Sequence, residues 1–73
     1  MIFKPGDLVK IIDETLFAER GTVCIVMGYD DRRSAIYGKD VARVLYGDAI
    51  YFCFEQKLET LISYAVCEDV CIN

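Results

Sequence analysis

The chain has 73 residues, 55% of them hydrophobic, and a net charge of −4 from twelve acidic and eight basic side chains. This length allows one small domain, the acidic balance argues against a general nucleic-acid binder, and the absence of histidine removes the usual proton shuttle and the commonest metal ligand. Because a chain this short buries only about 60% of the surface that it exposes when unfolded, we expect an apolar patch to remain outside and to contact a partner.

The first predicted element is a strand over residues 7–12, which follows a turn at residues 5–6. Because successive side chains of a strand alternate, Val9 and Ile11 share one face. The charged segment 13–20 is predicted to be a solvated loop. Its two large apolar residues, Leu16 and Phe17, are expected to hold it over the mouth of a barrel.

The second predicted strand covers residues 22–27. It begins after Gly21, where the missing Cβ permits a positive φ at a turn or bulge, and it ends at Gly28. Apolar residues on both faces predict a central strand that is covered on two sides. Residues 29–39 form the most polar segment and are predicted to be a long mobile loop, of the kind that often carries function.

The third and fourth predicted strands form a hairpin. Residues 40–46 and 49–54 alternate or run apolar, and Gly47-Asp48 between them is typical of a tight turn with positive φ. Residues 55–57 are predicted to form one helical or 3₁₀ turn, and residues 58–62 a short fifth strand.

Short strands at this spacing must bury their faces against each other, which predicts an all-β fold, a small five-stranded barrel over residues 1–62. Residues 63–73 form a C-terminal extension, which is too apolar for a disordered tail. We expect the extension to pack on the barrel or to pair with another copy as an added strand.

Four segments carry a resemblance to known barrels: Pro5–Ile11, Gly21–Val23, Val44–Gly47 and Leu58–Leu61. In this order they resemble SH3-like small barrels, and they are most similar to short uncharacterised barrel proteins found in bacteriophage genomes. The resemblance covers residues 4–62. It implies a binding role in the virion or in the cytoplasm of the host cell, without naming the partner, because this architecture hosts many unrelated functions.

The order is also similar to KOW-type barrels of ribosomal proteins and elongation factors, which bind RNA or polymerase. This chain departs from them because its loops are as often acidic as basic. It also lacks the acidic–aromatic loop motif with which signalling SH3 domains grip proline-rich ligands.

The four cysteines have several interpretations. Cys24 and Cys53 lie on predicted strands and are interpreted as small buried hydrophobes. A zinc ribbon needs two tight Cys-x2-Cys pairs, whereas only Cys67 and Cys71 are close here, and three residues separate them. Disulfides are an alternative because the count is even, but the sequence has no export signal and the cytosol keeps thiols reduced.

One basic cluster stands out in the predicted loop and third strand. Its members are Arg32, Arg33, Lys39 and Arg43. Aspartates flank these residues and neutralise much of their field, so they are either a solvated, self-paired group or a contact to phosphate or to an acidic protein surface.

Aromatic residues gather around the same loop and the central hairpin. They are Tyr29, Tyr37, Tyr46, Tyr51, Phe52 and Phe54. A barrel this small hides only some of them in its core, and exposed tyrosine is well suited to protein interfaces.

No catalytic constellation is visible, because the adjacent acidic pairs of a strand point to opposite faces and no histidine is present. The sequence therefore predicts a non-enzymatic protein–protein interaction module, a small phage-encoded accessory or structural protein, without a cofactor and without a membrane span. Its partner is a virion protein, a host protein or another copy; a KOW-like nucleic-acid-associated barrel is the alternative. The predicted partner-binding residues are Tyr29, Arg32, Arg33, Tyr37, Tyr46, Tyr51 and Phe52.

Overall fold

In the computed structural model, which describes residues 1–61, five antiparallel strands form one sheet. The strands are β1 (Leu8–Ile11), β2 (Val23–Tyr29), β3 (Val41–Tyr46), β4 (Ala49–Phe54) and β5 (Leu58–Thr60). A short helix, α1 (Asp31–Tyr37), lies between β2 and β3, and a 3₁₀ turn, Glu55–Lys57, joins β4 to β5.

The strands lie in the order β4-β3-β2-β1-β5, so β1 pairs with both β2 and β5. The predicted all-β fold of five strands, with a short helical turn before the last one, is confirmed. Ile62 and the predicted extension 63–73 lie outside the described residues, as do the interpretations of Cys67 and Cys71.

The core lies on the inner face of the sheet. Val9 and Ile11 of β1 are fully buried while Leu8 and Ile12 are exposed, which confirms the predicted alternation. Cys24 and Cys53 are buried and free, as predicted. The buried side chains that pack together are Phe3, Val9, Ile11, Cys24, Val26, Ala42, Val44, Cys53 and Leu58.

The prediction that β2 is covered on two sides is wrong. Its inward residues Cys24 and Val26 are buried, but Val23 and Met27 on the outer face are 49% and 40% exposed. A single sheet encloses one core, and a second layer is needed to cover its other face. Within residues 1–61, α1 packs against β3.

The segment 29–39, predicted to be a long mobile loop, contains α1. Asp30 caps the helix, since its Oδ1 accepts from the Arg33 amide at 2.8 Å. Gly38 ends the helix in the left-handed conformation, with φ 68° and its N–H on the Ser34 carbonyl. These two caps satisfy backbone groups that a seven-residue helix otherwise leaves without partners. They stabilise the helix although its sequence has no apolar repeat.

The β2 strand also runs further than predicted. Gly28 does not end it but forms an irregularity, where the pairing with β3 shifts between Val26 and Gly28. Its φ of 141° favours glycine. The strand therefore continues to Tyr29, which places Asp30 directly at the start of α1.

Two adjacent isoleucines test the one-sided packing of the sheet. Ile11→Ala leaves a cavity in the core, so we expect a loss of about 2–5 kcal/mol in the free energy of unfolding. Ile12→Ala removes the same atoms from a largely exposed position, and we expect a change within about 0.5 kcal/mol. Urea unfolding followed by circular dichroism measures both. If Ile11→Ala does not fold, Ile11→Val replaces it, with an expected loss of about 0.5–1.5 kcal/mol. Equal losses at both positions would contradict the assignment of faces.

The capping carboxylate of Asp30 predicts how the stability of the fold changes at low pH. The Arg33 amide, followed by the Arg33 side chain, holds the pKa of Asp30 below its usual value. A carboxylate with a lowered pKa stabilises the fold above its ordinary pKa, and this contribution is lost as the pH falls through the lowered value. We expect Asp30→Asn, which keeps a capping oxygen, to reduce the acid dependence of thermal unfolding, whereas Asp30→Ala also lowers the melting temperature at neutral pH. If the melting temperature of Asp30→Asn falls with acid as steeply as that of the wild type, this assignment is contradicted.

Candidate functional site: the aromatic surface at β4

The helix α1 places two side chains against the aromatic rings of β4. The Arg33 guanidinium carbon lies 3.8 Å from the centre of the Phe52 ring. The Tyr37 ring meets Phe54 edge-on, with centroids 5.3 Å apart. Tyr37 and Phe52 remain largely exposed. We call these four residues the β4 patch: Arg33, Tyr37, Phe52 and Phe54.

The cations of the β4 patch are partly neutralised by their surroundings. Arg33 Nη1 pairs with Asp30 Oδ2 at 2.8 Å, and Lys39 Nζ lies 4.9 Å from the centre of the Phe54 ring. Arginine and lysine above aromatic faces interact with the ring electrons. The patch is therefore aromatic at its centre, with paired or stacked positive charge around it.

A second aromatic group lies on the other side of β4, at the core. Phe17, from the loop between β1 and β2, stacks on Tyr51 with centroids 4.6 Å apart and ring planes 4° from parallel. Tyr46 is 6.3 Å from Phe17 and 6.4 Å from Tyr51. Of the two loop residues predicted to fold over the mouth of a barrel, Phe17 packs against the core, whereas Leu16 is fully exposed.

A groove of about 310 Å³ connects the two groups. The loop residues Thr15–Phe17 form one wall, and Arg33 and Tyr37 of α1 form the other. Its remaining lining comes mainly from Phe52–Phe54 of β4, where Phe52 and Phe54 lie on the outer face and Cys53 on the inner face. Because it touches both faces, the groove crosses the edge of β4. Lys57 lies in it and donates to the Glu14 carbonyl at 2.8 Å, which holds the loop wall in place.

The structure brings some of the predicted partner-binding residues together and separates others. Arg33, Tyr37 and Phe52 meet in the β4 patch, and Tyr46 and Tyr51 meet around Phe17. Arg32 is exposed on α1 and lines a small hollow with Ile36 and Tyr37.

Tyr29 has a role inside the fold. Its hydroxyl donates to the Glu55 carboxylate and accepts from the Phe3 amide at 3.1 Å. Burial, aided by Glu55, raises the pKa of Tyr29 to about 12. The hydroxyl thereby ties the segment before β1 to the 3₁₀ turn.

Most residues of the groove were not predicted from the sequence to bind a partner. They are Thr15, Leu16, Phe17, Val41, Cys53, Phe54 and Lys57. Phe17 and Leu16 carried a signal, since they are large apolar residues in an otherwise charged loop. Lys57 carried none, because its position depends on how the 3₁₀ turn meets the loop.

The buried thiols have no sign of activation. Burial raises the pKa of Cys53 to about 11 and also raises the pKa of Cys24, whereas a reactive cysteine needs a lowered pKa. Among residues 1–61, no group of three or more cysteine and acidic side chains could hold a metal ion. In the same part of the chain, no helix is long and apolar enough to span a membrane.

No protein-family model, curated protein or solved structure matches this chain. The resemblance to SH3-like barrels and to bacteriophage barrel proteins therefore stays a prediction that depends on the order of the motifs.

The Tyr29 hydroxyl predicts how the stability of the fold changes at high pH. A tyrosine whose pKa is raised on folding stabilises the fold fully below its unfolded pKa of about 10, and the contribution is lost as the pH rises toward the folded value. We expect stability to fall between about pH 10 and 12, and the Tyr29→Phe variant to fall less steeply. Urea unfolding across this range measures the slopes. Equal slopes for the two proteins would contradict the assignment.

Proposed function

We propose that this chain is a non-enzymatic protein–protein interaction module, a small phage-encoded accessory or structural protein that docks through the surface around β4. The observation that carries the proposal is the β4 patch with its groove. Two aromatic rings are largely exposed there beside an arginine, and tyrosine, phenylalanine and arginine are the residues enriched in protein interfaces. The phage origin is supported by the motif resemblance alone.

An aliphatic row extends this surface across the outer face of the sheet. The register aligns Leu8 with Ile25, Ile25 with Leu45, and Leu45 with Ile50. Leu8 and Ile50 are exposed at the two ends of the row, and Ile25 and Leu45 are partly exposed between them. Phe52 is the next outward residue after Ile50, so the row continues into the β4 patch. A continuous apolar surface of this kind is typical of a contact site.

The partner in this proposal is a virion protein, a host protein or another copy of the chain. The nucleic-acid alternative has less support, because Arg33 is held by Asp30 and Phe52 while Lys39 lies over Phe54. Arg32 and Arg43 are exposed, but two dispersed charges on an acidic protein make a weak phosphate site.

Paired alanine variants test the docking surface. Phe52→Ala removes an exposed ring from the β4 patch, and Ile12→Ala removes a side chain of equal exposure, 41%, from the position just after β1. Proteins captured from host or infected lysate are quantified for the wild type and both variants, and concentration-dependent mass is measured in parallel. We expect Phe52→Ala to weaken association about tenfold or more and Ile12→Ala to leave it unchanged. Thermal unfolding checks that both variants are folded. Association that is the same in all three proteins, or none in any, would refute the proposal.

A gel shift at low salt tests the alternative. We expect no shift of single- or double-stranded DNA or RNA by the wild-type protein. A salt-dependent shift that is lost in the Arg32→Glu variant would favour the nucleic-acid role instead.

A further inference from the structure

The strand β4 is an edge strand, and every second residue directs its backbone N–H and C=O groups away from the sheet. Glu55 N–H donates to the Asp40 carbonyl at 3.0 Å, which marks a hydrogen-bonded pair between the chains of the hairpin. In an antiparallel ladder such pairs recur at every second position. They therefore include Ala42–Cys53 and Val44–Tyr51.

The alternate residues of β4 direct their N–H and C=O groups away from β3. These residues are Ile50, Phe52 and Phe54, whose side chains also lie on the outer face. No strand among residues 1–61 pairs with this edge. The Phe54 carbonyl accepts a weak hydrogen bond from the Cys53 thiol, at 3.5 Å.

The sequence of β4 itself carries none of the usual protection against pairing. Natural edge strands are kept short or carry charges, proline or bulges. The opposite end strand, β5, has three residues and contains Glu59. In contrast, β4 has six residues, all apolar, without charge, glycine or proline.

Apolar side chains stand on both sides of the open edge. Leu16 is fully exposed on the loop wall of the groove, and Tyr37 is exposed on the helix side. The groove of about 310 Å³ lies between these side chains, next to Phe52–Phe54 of the edge. A strand added at this edge would bury these side chains and pair with the outward backbone groups at once.

We propose that this strand is β4 of a second copy, added antiparallel about a twofold axis so that the two sheets join. The proposal rests on the proposed function, since it names the partner and the mode of binding of the β4 surface. It is a case of strand addition, in which backbone hydrogen bonds hold the pair and side chains set the register.

Self-complementarity is the argument for a second copy. When Phe52 of one copy lies opposite Phe52 of the other, Ile50 lies opposite Phe54 in both directions, so apolar residues meet throughout. Each copy has a net charge of −4, but β4 contributes no charge to the shared ladder. The arrangement uses both open edges and closes after two copies, as an isologous interface does.

Light scattering on the eluate of a size-exclusion column, over a wide concentration range, tests this proposal. We expect a dimer for the wild type. Phe52→Lys places two like charges opposite each other in the ladder, and we expect it to be monomeric. Met27→Lys adds the same charge at a position of nearly equal exposure, 40% against 41%, on β2, and we expect it to stay dimeric.

Amide hydrogen exchange of the wild type identifies the edge even if Phe52→Lys does not fold. We expect the Ile50 and Phe52 amides to become protected as the concentration rises, while the Tyr51 amide, already bonded within the hairpin, keeps its protection.

Three results would overturn the proposal. They are a monomer at all concentrations, Phe52 protection that does not depend on concentration, and a dimer broken by Met27→Lys but not by Phe52→Lys. A monomer whose Phe52→Ala variant still loses a captured partner would refute the dimer and leave the proposed function standing.

Discussion

A single sheet of five short strands can fully pack only one of its faces, and most features of this protein follow from that constraint. The inner face takes the fully buried side chains, with Val9, Ile11, Val26 and Val44 at the centre. The outer face keeps its aliphatic residues although nothing among residues 1–61 covers the row across β1 and β2. Apolar residues on an uncovered face add little to the stability of the isolated fold. The proposed docking function accounts for their presence there by contacts with a partner.

The helix α1 covers part of this outer face and gives the site its chemistry. Because both of its ends are capped within the segment 30–38, a short helix can hold Arg33 over Phe52 and Tyr37 against Phe54. Ser34 adds a further tie, since its hydroxyl donates to the Asp30 carbonyl and accepts from the Val41 amide. The bond from the Val41 amide thus joins the helix to β3, although none of the helix residues is buried.

The strands could be predicted from the sequence because their signals are local. Gly47-Asp48 predicts the hairpin between β3 and β4, and the boundaries of β4 at residues 49 and 54 were predicted correctly. The helix was missed because α1 has no buried face and hence no apolar period. The evidence for it was only in its caps, Asp30 and Gly38.

The residues of the candidate site were mostly predicted, but their grouping was not. The aromatic residues Tyr37, Tyr46 and Phe52 were each predicted to bind a partner, without a prediction of which rings contact each other. Whether two of them meet depends on strand parity: Tyr46 faces the core with Tyr51, and Phe52 faces outward with Phe54. Tyr29 belongs to neither group because its hydroxyl bonds to Glu55, which is 26 residues away in sequence. Contacts of this range depend on the whole topology and leave no local pattern.

The open edge of β4 and the small size of the core are connected. A chain of this length has few fully buried side chains, so any association that binds only the folded state raises its stability through mass action. An uncharged edge strand carries a risk of uncontrolled pairing, and the walls of the groove reduce that risk. The loop residues Thr15–Phe17, held through Glu14 by Lys57, and the capped helix α1 flank the groove. In the proposed dimer, this framing favours a partner that fits the groove over indiscriminate pairing along the same six residues.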